Sequence, residues 1–254
     1  MKSVEISATQ TGVCALTLNR PEQRNALNEA TMDALIHAID ATSRREDLAV
    51  VLVRGHGLSF CAGFDLAEAV ARPGLMSRFI EQLGAITRGL RRLPQVVVAA
   101  VQGAALAGGC AIASSCDLVV ATPDAQFGYP VHRIGVSPAV SIPTLRQTIG
   151  DGRCRATLMG GRIVDGREAH RIGLVSHLAV SVETLDREAS GLCRSLALKG
   201  PLALRTTKRW INELDGSLDD ATFDAAVAAS ATNASEPESA RLLRSFWSHR
   251  LKSR

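Results

Sequence analysis

The sequence predicts an α/β fold, and three observations support this prediction. Apolar segments typical of buried strands alternate with longer segments of helical periodicity. Two of the turns between them contain glycine and have the composition of a strand end followed by a helix start. From about residue 195 the pattern is wholly helical. We therefore predict an α/β core over residues 1–194 and a helical region over residues 195–254.

The first strands and the first helix have clear local signals. "VEISAT" and "VCALTLN" surround the turn "TQTG", which predicts a hairpin or two sequential strands. Residues 28–47 then place Leu35, Ile36 and Ile39 on one helical stripe. Asn28 precedes this stripe and is a suitable N-cap, because its side-chain oxygen can accept a hydrogen bond from a backbone N–H of the first turn.

The remaining elements follow in the same alternating order. "LAVVLVRG" (48–55) and "PQVVVAAVQG" (94–103) have the composition of buried strands, and a helix is predicted between them over about residues 73–92. The next segment, 104–122, predicts a helix opened by a glycine pair and then another strand. The helical C-terminal region divides into "PLALRTTKRWINELD", "LDDATFDAAVAASATNA" and "PESARLLRSFWSHRL".

Composition and charge exclude several classes of protein. The chain has 254 residues and is 46% hydrophobic with few aromatic residues, so its core is expected to consist mainly of Ala, Val, Leu and Ile. The net charge is +4, and no long basic run occurs outside the terminal "SHRLKSR", so nucleic-acid binding is not expected. A mild excess of arginine suits a small molecule that carries phosphate.

The N-terminus and the cysteines indicate a cytoplasmic protein. "MKSVEISATQTG" contains no apolar signal core, and polar residues interrupt every long apolar stretch before it could span a bilayer. The six cysteines form no CxxC pair and mostly lie in apolar runs, where a free thiol behaves as a small hydrophobic side chain. We therefore expect free thiols in a reducing compartment and no association with a membrane.

The two glycine turns, "CAGFDL" and "ALAGGCA", predict a specific chemistry. Unpaired backbone N–H groups at a helix start can receive an anionic oxygen. Two such turns facing each other would supply the pair of donors that a carbonyl needs when it becomes an enolate or a tetrahedral oxyanion. In the first turn the glycine permits a close approach, and the amide of Phe64 becomes the donor. The alternative is that both segments are only tight turns between a strand and a helix.

Five segments in order resemble the crotonase, or enoyl-CoA hydratase/isomerase, superfamily: "LNRPEQRNAL", "SFCAGFDL", "VQGAALAGGCAIASSCDLVVAT", "AQFGYPVHRIGVSP" and "GRIVDGREAHRIGLVSHL". The resemblance covers nearly the whole chain. It implies a crotonase-type spiral of ββα units, a C-terminal helical region used in trimer assembly and often a hexamer of two trimers. It also implies an acyl-CoA as substrate or ligand, without a further cofactor or metal.

The resemblance also assigns roles to particular residues. The two oxyanion-hole donors would be the backbone amides of Phe64 and Gly108. The segment of Arg24, Asn25 and Ala26 would lie along the CoA moiety together with the backbone near Ala62, while Asp65 and Leu66 flank the bend. The basic C-terminal "SFWSHR" adds His249 and Arg250 as candidates for contact with a phosphate group.

The chain departs from this family at both acid positions. Hydratases of the family use two glutamates, and Ala111 and Val131 stand at those two positions here. Addition of water to a conjugated thioester needs one group to deprotonate the water and another to protonate the α-carbon, which alanine and valine cannot do. Because the related isomerases keep the second glutamate, Val131 also argues against their mechanism. No glutamate occurs between Glu81 and Glu168.

Other side chains could replace the missing acids. His132 follows Val131, as does Arg133, and a shift of one residue in register could turn the imidazole toward the thioester. Tyr129, the only tyrosine, lies two residues before the second acid position. Asp65 and Glu68 adjoin the first glycine turn, where a carboxylate at a helix start is the simpler interpretation. No metal-binding histidine spacing and no GxSxG motif is present.

Three functional hypotheses remain open at this point. The first is an enzyme that stabilises the enolate of an acyl-CoA thioester, with hydratase-like or decarboxylase-like chemistry. Decarboxylation of a malonyl-type thioester needs no general base to begin, and an apolar pocket destabilises the charged carboxylate that leaves. The second is a catalytically silent acyl-CoA-binding protein. The third is a scaffolding oligomer that has also lost the binding of CoA.

Overall fold

The structure is a computed structural model that describes residues 2–9, 12–72 and 74–252, with the backbone alone at 250–252. Its strands are β1 (Val4–Ala8), β2 (Val13–Leu18), β3 (Val50–Gly55), β4 (Val96–Val101), β5 (Ala104–Leu106), β6 (Leu118–Ala121), β7 (Gln126–Gly128), β8 (Ile163–Val164) and β9 (His177–Leu178). Its helices are α1 (Glu29–Ser43), α2 (Leu66–Ala71), α3 (Leu75–Arg92), α4 (Gly108–Ser114), α5 (Ile142–Ile149), α6 (Asp151–Gly160), α7 (Gly166–Arg171), α8 (Val182–Ala197), α9 (Pro201–Leu214), α10 (Asp220–Ser235) and α11 (Pro237–Lys252).

A six-stranded sheet forms the centre, in the order β1-β2-β3-β4-β6-β9. β1 and β2 form the predicted antiparallel hairpin, and the other neighbours are parallel. Successive side chains of a strand point to opposite faces. Val51 and Val97 accordingly join the main core, which includes residues of α1 and α3, whereas Val50 and Val96 pack with α8 on the other face. Both faces are covered, which explains why these strands are apolar without alternation.

A smaller sheet builds the wall on which the candidate site lies. β5 pairs with β7 in parallel, and β7 pairs with β8 in antiparallel orientation. β4–β5–α4 and β6–β7–α5 are strand–strand–helix units in which the first strand belongs to the larger sheet and the second to the smaller one. The predicted α/β class is therefore confirmed, and the strand–strand–helix units expected from the resemblance are present.

Helix bounds agree with the sequence where the signals are local. The side chain of Asn28 accepts the backbone N–H of Thr31 at 2.8 Å, so the predicted N-cap of α1 is confirmed. The helix predicted for residues 73–92 is observed as α3, and the shorter α2 precedes it. The short strands β5, β7, β8 and β9 are absent from the prediction.

The C-terminal helices cover the sheet and the side of the candidate site. The predicted boundary after residue 194 falls within α8, which packs on β3 and β4. α9 also contacts β4, α10 packs on α3, and α11 packs on α2 and on the 3-10 turn Pro130–Ile134. Within the described residues no helix is long and apolar enough to cross a membrane. Nor does any group of three His, Cys, Asp or Glu side chains in that part of the chain have the arrangement of a metal site.

All six cysteines are free and buried, as the sequence predicts. Burial raises the pKa of Cys61, Cys110 and Cys116 to about 12 in each case, because the thiolate loses its solvation. The unfolded chain would ionise the same thiols near pH 9. These thiols therefore stabilise the folded chain fully below pH 9 and lose that contribution as the pH rises toward 12.

We expect the free energy of unfolding to fall steeply between pH 9 and pH 11. Each of the three thiols contributes a slope of roughly 1 kcal/mol per pH unit. Lys208 acts in the opposite direction, because burial lowers its pKa, but it is one group against several. Urea titrations at half-unit pH intervals measure this slope. Cys116→Ala should reduce it by the contribution of one thiol, roughly 1 kcal/mol per pH unit. A slope that does not change in this variant would contradict the assignment.

Candidate active site

The first glycine turn is held by main-chain hydrogen bonds to the segment 24–27. The N–H of Ala62 donates to the Arg24 carbonyl (3.0 Å), and the N–H of Leu27 donates to the Gly63 carbonyl (2.8 Å). The N–H of Asp65 donates to the Leu27 carbonyl (2.9 Å). In this parallel bridge the N–H of Phe64, between Gly63 and Asp65, points the other way. Among the described residues it has no hydrogen-bond acceptor.

The second turn runs from β5 into α4. Cys61 joins it to the first turn, since its N–H donates to the carbonyl of Ala104 (2.8 Å) and its carbonyl accepts from Leu106 (3.0 Å). Gly108 is the first residue of α4, so the helix itself provides no acceptor for its N–H. This N–H also has no partner in the described part of the chain.

Two glycines let these turns touch. Gly63 has a φ of 91°, and a Cβ there would lie 2.9 Å from the Leu106 carbonyl oxygen and 3.7 Å from the Gly108 nitrogen. A Cβ on Gly109 would collide with the carbonyl oxygen of Cys61. Side chains at either position would therefore push the turns apart. The two unpaired amides of Phe64 and Gly108 consequently belong to adjacent segments of backbone.

Backbone strain is concentrated around these turns. In the described chain, the non-glycine residues with a left-handed φ are Arg24 (52°), Asn25 (53°) and Ala107 (50°). Ala107 directly precedes Gly108 and sets the direction of its N–H. Such conformations cost about 1–3 kcal/mol each and persist where surrounding contacts enforce them.

Asn25 is the main support of the first segment. It is 1% exposed, its Oδ1 accepts the N–H of Arg20 (2.8 Å), and its Nδ2 donates to the carbonyls of His56 (2.9 Å) and Ser59 (2.8 Å). Asparagine also tolerates the left-handed conformation better than most residues do. The sequence predicts that Asn25 lies along the CoA moiety. In the structure its side chain forms hydrogen bonds with backbone groups of the protein.

We expect Asn25→Ala to destabilise the protein by about 2–4 kcal/mol, because it leaves buried polar groups unpaired in a strained segment. Urea denaturation measures this loss. Asn25→Asp is the matched control: it keeps the acceptor for Arg20 but loses both donated bonds, so its effect should be of similar size. A loss below about 1 kcal/mol in both variants would contradict this role.

The carboxylates beside the first turn are already engaged. Asp65 is the N-cap of α2, where it accepts the N–H of Glu68 (3.4 Å), and it pairs with Arg20 at 3.0 Å. Glu68 pairs with Arg72 at 3.0 Å. These contacts agree with the simpler interpretation of both acids as helix-start carboxylates. Arg20 also donates to the carbonyl of Ala26 (2.6 Å), so it links the segment 24–27 to α2.

Apolar side chains occupy the two acid positions. Ala111 lies in α4 and has no exposed surface. Val131 lies in the 3-10 turn Pro130–Ile134 and is partly buried against the main core. Phe64 and Leu66 are also partly buried against this core, and the Phe64 ring packs on Phe79 with centroids 5.3 Å apart. The surroundings of the amides are therefore largely apolar.

The two candidate replacements for the acids differ in their placement. His132 is exposed in the 3-10 turn, and a Cβ added to Gly161 would lie 4.0 Å from its Nδ1. Tyr129 is 1% exposed and lies beside Cys110, Ser114 and Ser141, although its hydroxyl makes no geometrically acceptable hydrogen bond with described atoms. Burial raises the pKa of Tyr129 well above its usual value. Tyr129 thus belongs to the packing of α4.

The other predicted contact residues surround the first turn. Arg24 is exposed, and its guanidinium has no partner among the described residues. Ala26, Ala62 and Leu66 are partly buried beside it. His249 is exposed in α11, where its Nδ1 lies 2.8 Å from the Ser245 carbonyl oxygen. The side chain of Arg250 lies outside the described residues.

Sequence reasoning missed three residues that shape the site. Arg20 and Asp65 are 45 positions apart, and only the arginine in "LNRP" hints at their ion pair. Gln102 donates to the carbonyls of Gly55 (2.7 Å) and Gly57 (2.9 Å), and its polarity at the end of an apolar strand is a signal that could have revealed it. The strained Ala107 gives no signal, since alanine normally avoids a positive φ.

Comparisons with known proteins identify the family of the chain. The family model of enoyl-CoA hydratase/isomerase matches residues 8–240. The chain is 32% identical to the 2,3-dehydroadipyl-CoA hydratase of Escherichia coli over 82% of its own length and 81% of the relative. It is also 32% identical to the short-chain-enoyl-CoA hydratase of Clostridium acetobutylicum, over 79% and 77% of the two chains.

A solved structure extends the likeness to the fold. The crystal structure of an enoyl-CoA hydratase/isomerase from Xanthobacter autotrophicus superimposes with a TM-score of 0.85 at 28% identity, over 95% of this chain and 91% of that one. The family match, the curated relatives and the fold point to the same conclusion. The chain belongs to the enoyl-CoA hydratase/isomerase family of the crotonase superfamily.

Proposed function

We propose that this protein is an enzyme that binds an acyl-CoA thioester with the carbonyl oxygen between the N–H groups of Phe64 and Gly108. The observation that carries the proposal is the pair of unpaired amides on two touching turns. When the thioester becomes an enolate, negative charge collects on this oxygen and both hydrogen bonds strengthen. Each such donor is worth about 10²–10³-fold in rate.

The segment beside the first turn would hold the CoA moiety. Arg24 carries an exposed guanidinium that has no partner among the described residues, as a contact for phosphate requires. Ala26 and Ala62 adjoin it and present small side chains next to the backbone. Asn25 and Arg20 position this segment rather than contact the ligand, because their polar atoms bind protein groups.

The reaction proceeds without the two carboxylates that are usual in the family. Ala111 and Val131 are apolar, while Asp65 and Glu68 are held by arginines. Decarboxylation of a 2-carboxyacyl-CoA demands least of such a site. The bond between the α-carbon and the carboxylate breaks, its electron pair enters the enolate, CO₂ leaves, and the α-carbon then takes a proton from solvent. The apolar surroundings destabilise the carboxylate before it leaves.

The first experiment is to incubate the protein with saturated, 2-enoyl and malonyl-type CoA thioesters in heavy water. Mass spectrometry then detects lost CO₂, added water or α-deuterium above a control without protein. We expect the malonyl-type thioester to lose CO₂ and to take up one deuterium from the solvent. If water adds to the enoyl thioester and no compound loses CO₂, the reaction is hydration and not decarboxylation.

A catalytically silent acyl-CoA-binding protein is the second candidate. The burial of Ala111 and the apolar Val131 favour it, because neither position supplies an acid or a base. This candidate keeps the two amides as a binding site. It requires that every thioester of the panel stay unchanged while at least some remain bound, which equilibrium dialysis detects.

We propose further that the chain assembles as a homotrimer or as a hexamer of two trimers. α9 supports this proposal, because Leu202, Trp210, Ile211 and Leu214 on it are each more than half exposed. A monomer rarely leaves so many large apolar side chains of one helix in water. Light scattering should give three or six times the chain mass of 26.9 kDa, and a monomer would contradict the proposal.

Restoring the family acids should add hydration to the site. We expect Ala111→Glu combined with Val131→Glu to raise the hydration of a short 2-enoyl-CoA by roughly 10²-fold over the parent protein, within the usual range of acid–base catalysis. Because Ala111 is fully buried, the variant should also lose about 1–3 kcal/mol of stability. The glutamine pair at the same positions is the control of equal size. No gain in a folded double variant would show that more than two residues have diverged.

A further inference from the structure

A pocket of about 220 Å³ lies beside the candidate site. α2 and the start of α3 line one side with Ala69, Val70 and Met76, and Val136 contributes next to them. α10 and α11 close the other side, where Leu243 and Arg244 are lining residues. α11 packs directly on α2, so the C-terminal region of the same chain forms this wall.

The pocket adjoins the proposed donor residue Phe64 and the second acid position, Val131. α2 begins two residues after Phe64, and Val70 follows within about one and a half turns. The N–H of Val136 donates to the carbonyl of Val131, the second acid position, at 3.2 Å. An acyl chain whose thioester lies at the amides of Phe64 and Gly108 would therefore extend along α2 into this pocket.

Among the described residues that line the pocket, Arg244 is the charged one, and none of the others carries a carboxylate. In the described part of the chain its guanidinium has no ion pair and no hydrogen bond. Other arginines near α2 and α3 are paired, such as Arg72 with Glu29 (2.7 Å). The serines of the pocket are engaged, since Ser235 contacts Ser77 (3.0 Å) and Ser239 donates to the carbonyl of Gly135.

We propose that this pocket takes an acyl group that ends in a carboxylate, so that the substrate is a CoA thioester with a second, distal carboxylate besides the one that leaves from the α-carbon. The distal carboxylate would pair with Arg244, whose planar guanidinium can donate two parallel hydrogen bonds to it. The apolar walls would hold the methylene groups between the thioester and the carboxylate. This inference rests on the proposed function, because it places the thioester at the two amides.

Matched ligands test the inference. Binding of succinyl-, glutaryl- and adipyl-CoA is measured by calorimetry against butyryl-, pentanoyl- and hexanoyl-CoA, which have the same chain lengths but end in a methyl group. We expect roughly tenfold tighter binding of the carboxylate member in at least one pair, because an ion pair of this kind is partly exposed to solvent. The preference should shrink as salt is added.

Variants assign the preference to one side chain. Arg244→Gln should abolish the preference and leave the affinity for the methyl-ended thioesters within about twofold, while Arg244→Lys should retain part of it. Arg241→Gln is the control, because Arg241 is exposed on the same helix and does not line the pocket. Melting curves verify that each variant is folded.

The outcomes separate the inference from the proposed function. Equal affinity for both members of every pair would overturn the inference and leave the proposed function standing. A preference that survives in Arg244→Gln would also overturn it. Failure of every acyl-CoA to bind would overturn the proposed function itself, and the inference with it.

Discussion

Replacing Gly108 with proline should lower turnover of the reactive acyl-CoA by about 10²–10³-fold or more. Proline has no N–H, so the variant removes one of the two proposed donors to the enolate oxygen. Proline is otherwise tolerated at the first position of a helix, which Gly108 occupies in α4. The measurement is the initial rate of CO₂ release, or of α-deuterium incorporation, at saturating thioester.

The conformation of Ala107 calls for controls. A residue before proline prefers an extended backbone, whereas Ala107 has a φ of 50° and a ψ of −112°. Gly108→Ala keeps the N–H. Its Cβ would lie 3.1 Å from the flexible end of Leu27 and in ordinary contact with the Phe64 ring at 3.6 Å, so turnover should stay within about tenfold. Glycolic acid in place of Gly108 removes the N–H without a ring and should reproduce the loss. Undiminished turnover in this ester variant would refute the oxyanion assignment.

Lys208→Met should destabilise the protein by about 3–5 kcal/mol. Lys208 is 6% exposed, and its Nζ donates to the carbonyl of Gln95 (2.9 Å) and to Oδ2 of Asp117 (2.7 Å). These bonds attach α9 to the start of β4 and of β6. Methionine fills a similar volume but leaves the largely buried Asp117 carboxylate with the N–H of Val97 (2.7 Å) as its remaining hydrogen-bond donor among the described residues.

A double-mutant cycle isolates the charge from the packing. Lys208→Met combined with Asp117→Asn removes both charges, so it should recover a substantial part of the stability lost in Lys208→Met alone. Urea midpoints and their slopes measure all four proteins of the cycle. If Lys208→Met alone costs less than about 1 kcal/mol, the pair does not hold α9 to the sheet.

The sequence predicts features whose causes are local. The cap at Asn28 and the buried strands β3 and β4 follow from a few neighbouring residues, and the structure has them. β5 and β7 are only three residues long, and their pairing joins Ala104 to Gln126 across 22 positions, so no local pattern reveals them. α2 escaped prediction because it is a helix of only six residues.

The candidate site was predicted more fully in position than in detail. The adjacency of the two turns agrees with the prediction, because glycine spacing and apolar flanks are visible in the sequence. The amide of Phe64, however, was expected at the start of a helix. It lies before the N-cap Asp65 and is left unpaired by the bridge to Leu27 instead. The pocket at Arg244 depends on how α11 returns to α2, which only tertiary packing determines.

The bridge between Leu27 and Phe64 has an evolutionary consequence. The hydrogen bonds of this bridge and the two unpaired N–H groups involve main-chain atoms. Most side chains around them can therefore change without removing a donor. Intolerance to substitution should be greatest at positions such as Gly63 and Gly109, where any Cβ separates the turns, and at Asn25, whose side chain holds the segment 24–27. A chain of this architecture can therefore replace the side chains at both acid positions while the two proposed main-chain donors to the thioester are inherited unchanged.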